Sequence, residues 1–185
     1  MNRKALLFIV AVLASAALSA RANLVANPGF ETGDFSSWVN AGSTTYDSVS
    51  TFAPHTGVYA ANLGSITIST LSQMIPTTPG LLYDVSFWLR QDSTSGDNSF
   101  TAAFAGVVGF TAQVNGPAFP YTQFSFDNVL ATSASSLLIF TDHNGPSWWR
   151  LDDVSVVQVP EPGTLGLIAL GALGLVGAVR KRRPV

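Results

Sequence analysis

The chain has 185 residues, room for one domain with appended segments, and with 47% hydrophobic and 11% charged residues it carries well under the usual quarter of charge. It has no cysteine, which excludes disulfides, thiol catalysis and thiolate metal sites. The net charge of −2 hides a segregation: between Asn23 and Val157 only Arg90 and Arg150 oppose ten acids, a net −8, which excludes the cationic surface that nucleic-acid phosphates require.

The first predicted element is a secretory leader over residues 1–22. MNRK supplies a basic start, ALLFIVAVLASAAL an apolar run, and SARA small residues before a signal-peptidase cut after Ala22. A cut after Ala20 also fits. The competing reading is an uncleaved anchor helix, which the short apolar run and small-residue exit disfavour.

Residues 23–157 show no helical periodicity. Alternating Thr, Val, Phe and Tyr between turn clusters such as PTTPG, VNGP and DHNGP predict strands. They fall near Leu24–Asn27, Thr45–Thr51, Gly57–Leu63, Ser65–Ser72, Leu81–Arg90, Ser99–Ala105, Val107–Val114, Tyr121–Val129, Ser136–Thr141 and Trp148–Val157. Ten short strands in about 135 residues predict an all-β, two-sheet sandwich of jelly-roll type. In LLYDVSFWLR, alternation puts Tyr83, Val85, Phe87 and Leu89 in the core and Asp84, Ser86, Trp88 and Arg90 outside. In LDDVSVV it puts Asp152 with Val154 and Val156, and Asp153 with Leu151 and Ser155. A carboxylate at the sandwich edge or interior must be hydrogen-bonded or bound to a cation.

The last predicted element is a membrane span. Gly163 to Val179 is a charge-free run of 17 residues with five glycines, at the lower limit for crossing a bilayer. Arg180, Lys181, Arg182 and Arg183 follow as a stop-transfer cluster that stays cytoplasmic. A buried core helix is the alternative, and the glycines weaken it. Before the span, Val159, Pro160, Glu161 and Pro162 form a stiff, extended strip suited to a protease.

Two resemblances attach to these residues. Pro-Glu-Pro, a short glycine-rich span and an arginine cluster over residues 158–185 resemble the PEP-CTERM sorting signal of Gram-negative bacteria. The resemblance implies an exosortase that cuts near the strip and passes the protein to the cell surface. NLVANPGFETGDFSSWV at the start and WWRLDDVSVV at the end are similar to the carbohydrate-binding, galactose-binding-like jelly rolls, with Asn27, Gly29, Phe30, Glu31, Trp38, Asp152, Asp153 and Val154 in the matching places. It implies a structural calcium ion near the meeting of first and last strands, held by Glu31 and Asp152 with Asp153 in reserve. The other reading is that Glu31 accepts backbone amides and Asp152 caps a strand.

Enzyme chemistry is not expected. Glu31 is the only Glu in the domain, and the acids lie in turns or alone, unlike a glycosidase pair. His55 and His143 read as solvent-facing turn residues, with no third ligand for zinc. Exposed rings could instead stack on sugars. Trp88, Trp148 and Trp149 are the candidate glycan platforms, with ordinary packing as the alternative, while Trp38 reads as a core plug. The expected protein is therefore an exported, non-catalytic surface or matrix component associated with extracellular polysaccharide. The alternatives are a structural or adhesive protein without a sugar site, a secreted hydrolase, or an ice binder using the Thr67 and Ser69 strip of SITISTLS.

Overall fold

A computed structural model describes residues 21–92, 97–112, 116–145 and 147–160. The leader up to Ala20 and the expected span 163–179 with its cationic cluster lie outside the described residues. Among the described residues no helix is long and apolar enough to cross a membrane. Ala22–Val159 forms one compact unit.

The unit is a jelly-roll sandwich of two antiparallel five-stranded sheets. Its strands are β1 (Val39–Gly42), β2 (Ser48–Ser50), β3 (Ala60–Leu63), β4 (Ser69–Pro76), β5 (Leu82–Gln91), β6 (Asp97–Phe104), β7 (Val107–Thr111), β8 (Phe119–Leu130), β9 (Ser135–Gly145) and β10 (Trp149–Gln158). The front sheet runs β2-β3-β10-β5-β8 and the back sheet β1-β4-β9-β6-β7. Period-two alternation drives the closure. In β5, Tyr83, Val85, Phe87 and Leu89 are buried while Asp84, Ser86, Trp88 and Arg90 stay partly exposed. Phe87 meets Phe100 and Phe140 across the gap at 6.1 and 5.2 Å between ring centres.

Trp38 plugs this core, stacked on Phe30 at 5.6 Å, and its indole N–H donates to the Asn27 carbonyl. Trp149 is fully buried against Phe100 and Phe119, which removes it as a surface platform. Alternation explains the outcome: with Leu151 inward, Trp149 must also point inward, and Trp148 is left outside.

Several elements differ from the sequence reading. Leu24–Asn27 is not a ladder strand. It lies along β10, with Leu24 N–H donating to the Val156 carbonyl at 2.9 Å, and the Gln73 side-chain amide clamps Ala26 in place of a strand partner. β1 was not expected; four mostly exposed residues leave little hydrophobic signal. The Ile66–Ile68 stretch is an exposed connection, and Ser69 is buried at the start of β4, so the expected Thr67 and Ser69 strip is not one face of a strand.

The LDDVSVV alternation breaks at a β-bulge. Asp152 pairs with Trp88, Ser155 with Ser86, and Asp153 between them has φ of +47°. The extra residue shifts the faces, so Asp152 joins the outward row of Trp88 while Val154 and Val156 turn into the core. Asp accepts the left-handed conformation more readily than most residues.

Candidate functional site

Register places the polar residues of the front sheet in one outward row. Ser48 pairs with Asn62, Asn62 with Arg150, and Arg150 with Arg90. The two cations between Asn23 and Val157 thus lie side by side, and Asp92 joins them. Its Oδ1 accepts from Arg90 Nε at 2.6 Å; its Oδ2 accepts from Arg150 Nε at 2.6 Å and lies 2.6 Å from Arg150 Nη2. Arg150 Nη1 donates to the Asn62 side-chain carbonyl and, at 3.2 Å, to the Phe52 carbonyl. Asn62 Nδ2 donates to Ser50 Oγ at 2.7 Å. These bonds fix a flat polar floor.

Aromatic rings rim that floor. Tyr46 and Phe52 stand at the two flanks of β2, and Trp148 enters from the turn before β10. They are 52%, 64% and 39% exposed, which is unusual for large rings with an interior available. The Phe52 ring lies 4.5 Å from the Arg150 guanidinium carbon. Trp148 donates its indole N–H to the Tyr46 carbonyl at 3.3 Å and lies against Gly64, where a Cβ would sit 2.5 Å from the indole nitrogen. Together with Ser48, Ser50, Asn62 and Arg150 these rings enclose an open hollow of about 350 Å³.

Trp88, the other expected platform, lies one register row away under a different cover. His55 stacks on it at 3.8 Å and 17°, so one indole face belongs to the protein. The His55 Nδ1 sits 2.6 Å from Asp153 Oδ2, and Tyr121 donates to the Ala53 carbonyl at 3.1 Å. His55 is therefore a packed residue. His143 is a β9 residue, because that strand continues to Gly145, and its Nε2 lies 3.0 Å from the Ile66 carbonyl.

The three expected calcium acids converge beside this loop. Asp152 accepts N–H bonds from His55 and Thr56, Asp153 accepts the Thr56 hydroxyl, and Glu31 accepts N–H bonds from Val58 and Tyr59. The acids therefore bind amides of the loop and lie close to one another. A Cβ on Gly29 would lie 3.5 Å from Asp152 Oδ1, 3.6 Å from Asp153 Oδ1 and 3.7 Å from Glu31 Cγ. Burial pushes the Asp152 carboxyl up to about 6, with the neighbouring Asp153 charge adding to the shift. Among the described residues no group of three or more His, Asp or Glu side chains has metal-holding spacing. A calcium ion among these acids would draw on loop carbonyls as well.

The acids also position the hollow. They strap residues 55–59, Tyr121 holds Ala53, and Arg150 holds the Phe52 carbonyl. The loop between β2 and β3 therefore carries Phe52 to the rim from fixed points. Of the residues lining the hollow, the sequence reading singles out Trp148 and not Tyr46, Phe52, Asn62 or Arg150. Its one available signal was TYDSVSTF, a short Ser/Val strand with a ring at each flank.

A larger hollow of about 680 Å³ is lined by Ile66, Thr67, Ile68, Asp97, His143 and Gly145. Among the described residues its lining holds no phenyl or indole ring, in contrast to the hollow at Trp148.

Residues 158–183 match the family described as the PEP-CTERM protein-sorting motif. The motif implies an exported protein. No curated protein matches the chain. Solved structures match the sandwich. TmCBM61, solved with β-1,4-galactotriose, is 21% identical with a TM-score of 0.60, over 75% of this chain and 99% of its own. The CBM22-1 xylan-binding domain of Paenibacillus barcinonensis Xyn10C is 16% identical with a TM-score of 0.54, over 77% and 97%. The Stig cyclase Fisc of Fischerella sp. TAU is 12% identical with a TM-score of 0.54, over 77% and 99%. The chain thus has the jelly-roll fold of carbohydrate-binding modules, a fold that an enzyme also uses.

Proposed function

We propose that this chain is an exported, non-catalytic surface or matrix protein that binds extracellular polysaccharide in the hollow of Tyr46, Phe52 and Trp148. The observation that carries the reading is three exposed rings around a hydrogen-bonded polar floor. Pyranose rings have apolar C–H faces that stack on aromatic surfaces, while their hydroxyls need donors and acceptors within reach. Ser48 and Ser50 offer hydroxyls there, with Asn62 holding Ser50 from below. Among the described residues no carboxylate lines the hollow, and Asp92, behind Arg150 in the hydrogen-bond chain, is committed to two arginines. That argues for binding rather than glycoside cleavage, which needs two carboxylates across the bond.

In this proposal signal peptidase removes residues 1–22. The span 163–179 then pauses the chain in the inner membrane with Arg180–Arg183 inside, and an exosortase acts at the Pro160–Pro162 strip. A calcium ion held by Glu31 and Asp152 braces the loop that carries Phe52.

Affinity electrophoresis of residues 22–159 through gels containing galactan, xylan or the producing cell's own polysaccharide tests the site. Retardation by at least one glycan is expected, together with about tenfold or greater loss of affinity in Trp148→Ala and Phe52→Ala. Trp88→Ala should matter less, because His55 already covers that ring. No retardation by any glycan would favour a structural or adhesive protein with no sugar site.

A further inference from the structure

Among the described residues the outward face of the back sheet carries little charge. Register aligns Thr70, Thr141, Thr101 and Thr111 in one row across four strands, with Ala41 at its end. The adjacent row is Val39, Ser72, Ile139, Ala103 and Val108. Neither row holds an ionisable group. Beyond them Met74 pairs with Leu137, and the charge on this face is confined to Asp97 and His143 at one end. Val39, Met74, Val108 and Leu137 are 62%, 57%, 63% and 41% exposed. A largely uncharged sheet face that exposes four aliphatic side chains is a candidate interaction surface.

We propose that this face binds a second copy of the chain, back sheet to back sheet. Two observations choose that occupant. The first is electrostatic. The span from Asn23 to Val157 carries a net −8, so two copies repel each other through any face that presents its acids. The back sheet is where they can meet with the fewest opposed acids, since among the described residues Asp97 alone stands on its outward face, at one end. The second is area. β4, β6 and β9 have 8, 8 and 11 residues. At about 3.3 Å per residue and about 4.8 Å between strands, the five-stranded face covers on the order of 600 Å² in plan. Side-chain relief raises the accessible area toward the roughly 800 Å² per partner of an ordinary specific interface. A two-fold axis through the face would set each aliphatic row against its mate.

The pairing leaves the aromatic hollow free, because the hollow lies on the opposite sheet. Two sugar sites would then face away from each other, an arrangement that bridges polysaccharide chains.

Sedimentation velocity of residues 22–159, whose core is closed within Val25–Val156, tests this. A reversible dimer in the micromolar range is expected, and it should strengthen with salt as repulsion between acidic copies is screened. Met74→Lys and Val108→Lys, both at exposed positions, should each weaken it about tenfold or more. Gln123→Lys on the front sheet adds the same charge and should leave it intact. A monomer up to about 1 mM overturns the proposal. So does a dimer untouched by both back-sheet lysines. A monomer that these lysines release from an uncharged polysaccharide gel also overturns it, and assigns the face to glycan.

Discussion

Asp142 is buried between the sheets with one hydroxyl donor, Ser69, on its Oδ2 at 2.7 Å. Its Oδ1 has no partner among the described residues. Burial pushes its carboxyl up to about 6, and the Asp47 charge adds to the shift. The folded chain therefore holds this proton more tightly than the unfolded chain, whose carboxyl titrates near its ordinary 3.8. Between about pH 4 and pH 6 the native state binds more protons, so stability falls as pH rises through that window. The loss is on the order of 2–3 kcal/mol at most. Asp142→Asn should reduce the slope of that part of a Tm-versus-pH curve and leave the share of Asp152, whose carboxyl is likewise pushed up to about 6; an unchanged slope would remove Asp142 as a source. The sequence could not show this. DHNGP reads as a turn, yet β9 runs on to Gly145 and carries Asp142 inward. By contrast, the faces of LLYDVSFWLR were legible, because an uninterrupted strand obeys its two-residue period.

The loop between β2 and β3 is the element on which the site turns. Glu31 binds its far end through Val58 and Tyr59, and a Cβ on Gly57 would collide with Glu31 Oε1 at 2.2 Å. Gly57 also has φ of +64°, a conformation that glycine adopts without strain. If calcium occupies the acid cradle, saturating ion should raise the melting midpoint of residues 22–159 by roughly 5–10 °C over a chelator control. Glu31→Gln should abolish that rise and weaken glycan binding by releasing Phe52. An equal midpoint with and without calcium would leave the N–H bonds as the whole strap. The acids were legible because they sit in short motifs at both ends of the domain. The hollow was not, because Tyr46, Asn62 and Trp148 meet only through strand register. The bulge at Asp153 was equally hidden, since nothing in LDDVSVV signals a left-handed residue.

At the scale of the molecule, the sandwich divides its work between two sheets. The front sheet gathers both arginines of the domain and the exposed rings; the back sheet is nearly free of charge. The sorting motif follows β10 directly, its match beginning at the strand's last residue, Gln158. If exosortase acts there, protein recovered from the surface of normal cells should lack Arg180–Arg183, while cells without the enzyme should retain them. Equal, intact masses in both would contradict the sorting proposal.

Sugar binding at the hollow is tested most directly by following the four indole N–H signals of residues 22–159 during titration with oligosaccharides of the retarding glycan. Trp38 and Trp149 donate to the backbone carbonyls of Asn27 and His143, Trp88 lies under His55, and Trp148 rims the hollow. The Trp148 signal is expected to shift in a saturable way while those of Trp38 and Trp149 stay fixed. Saturable binding that leaves Trp148 unmoved would contradict it.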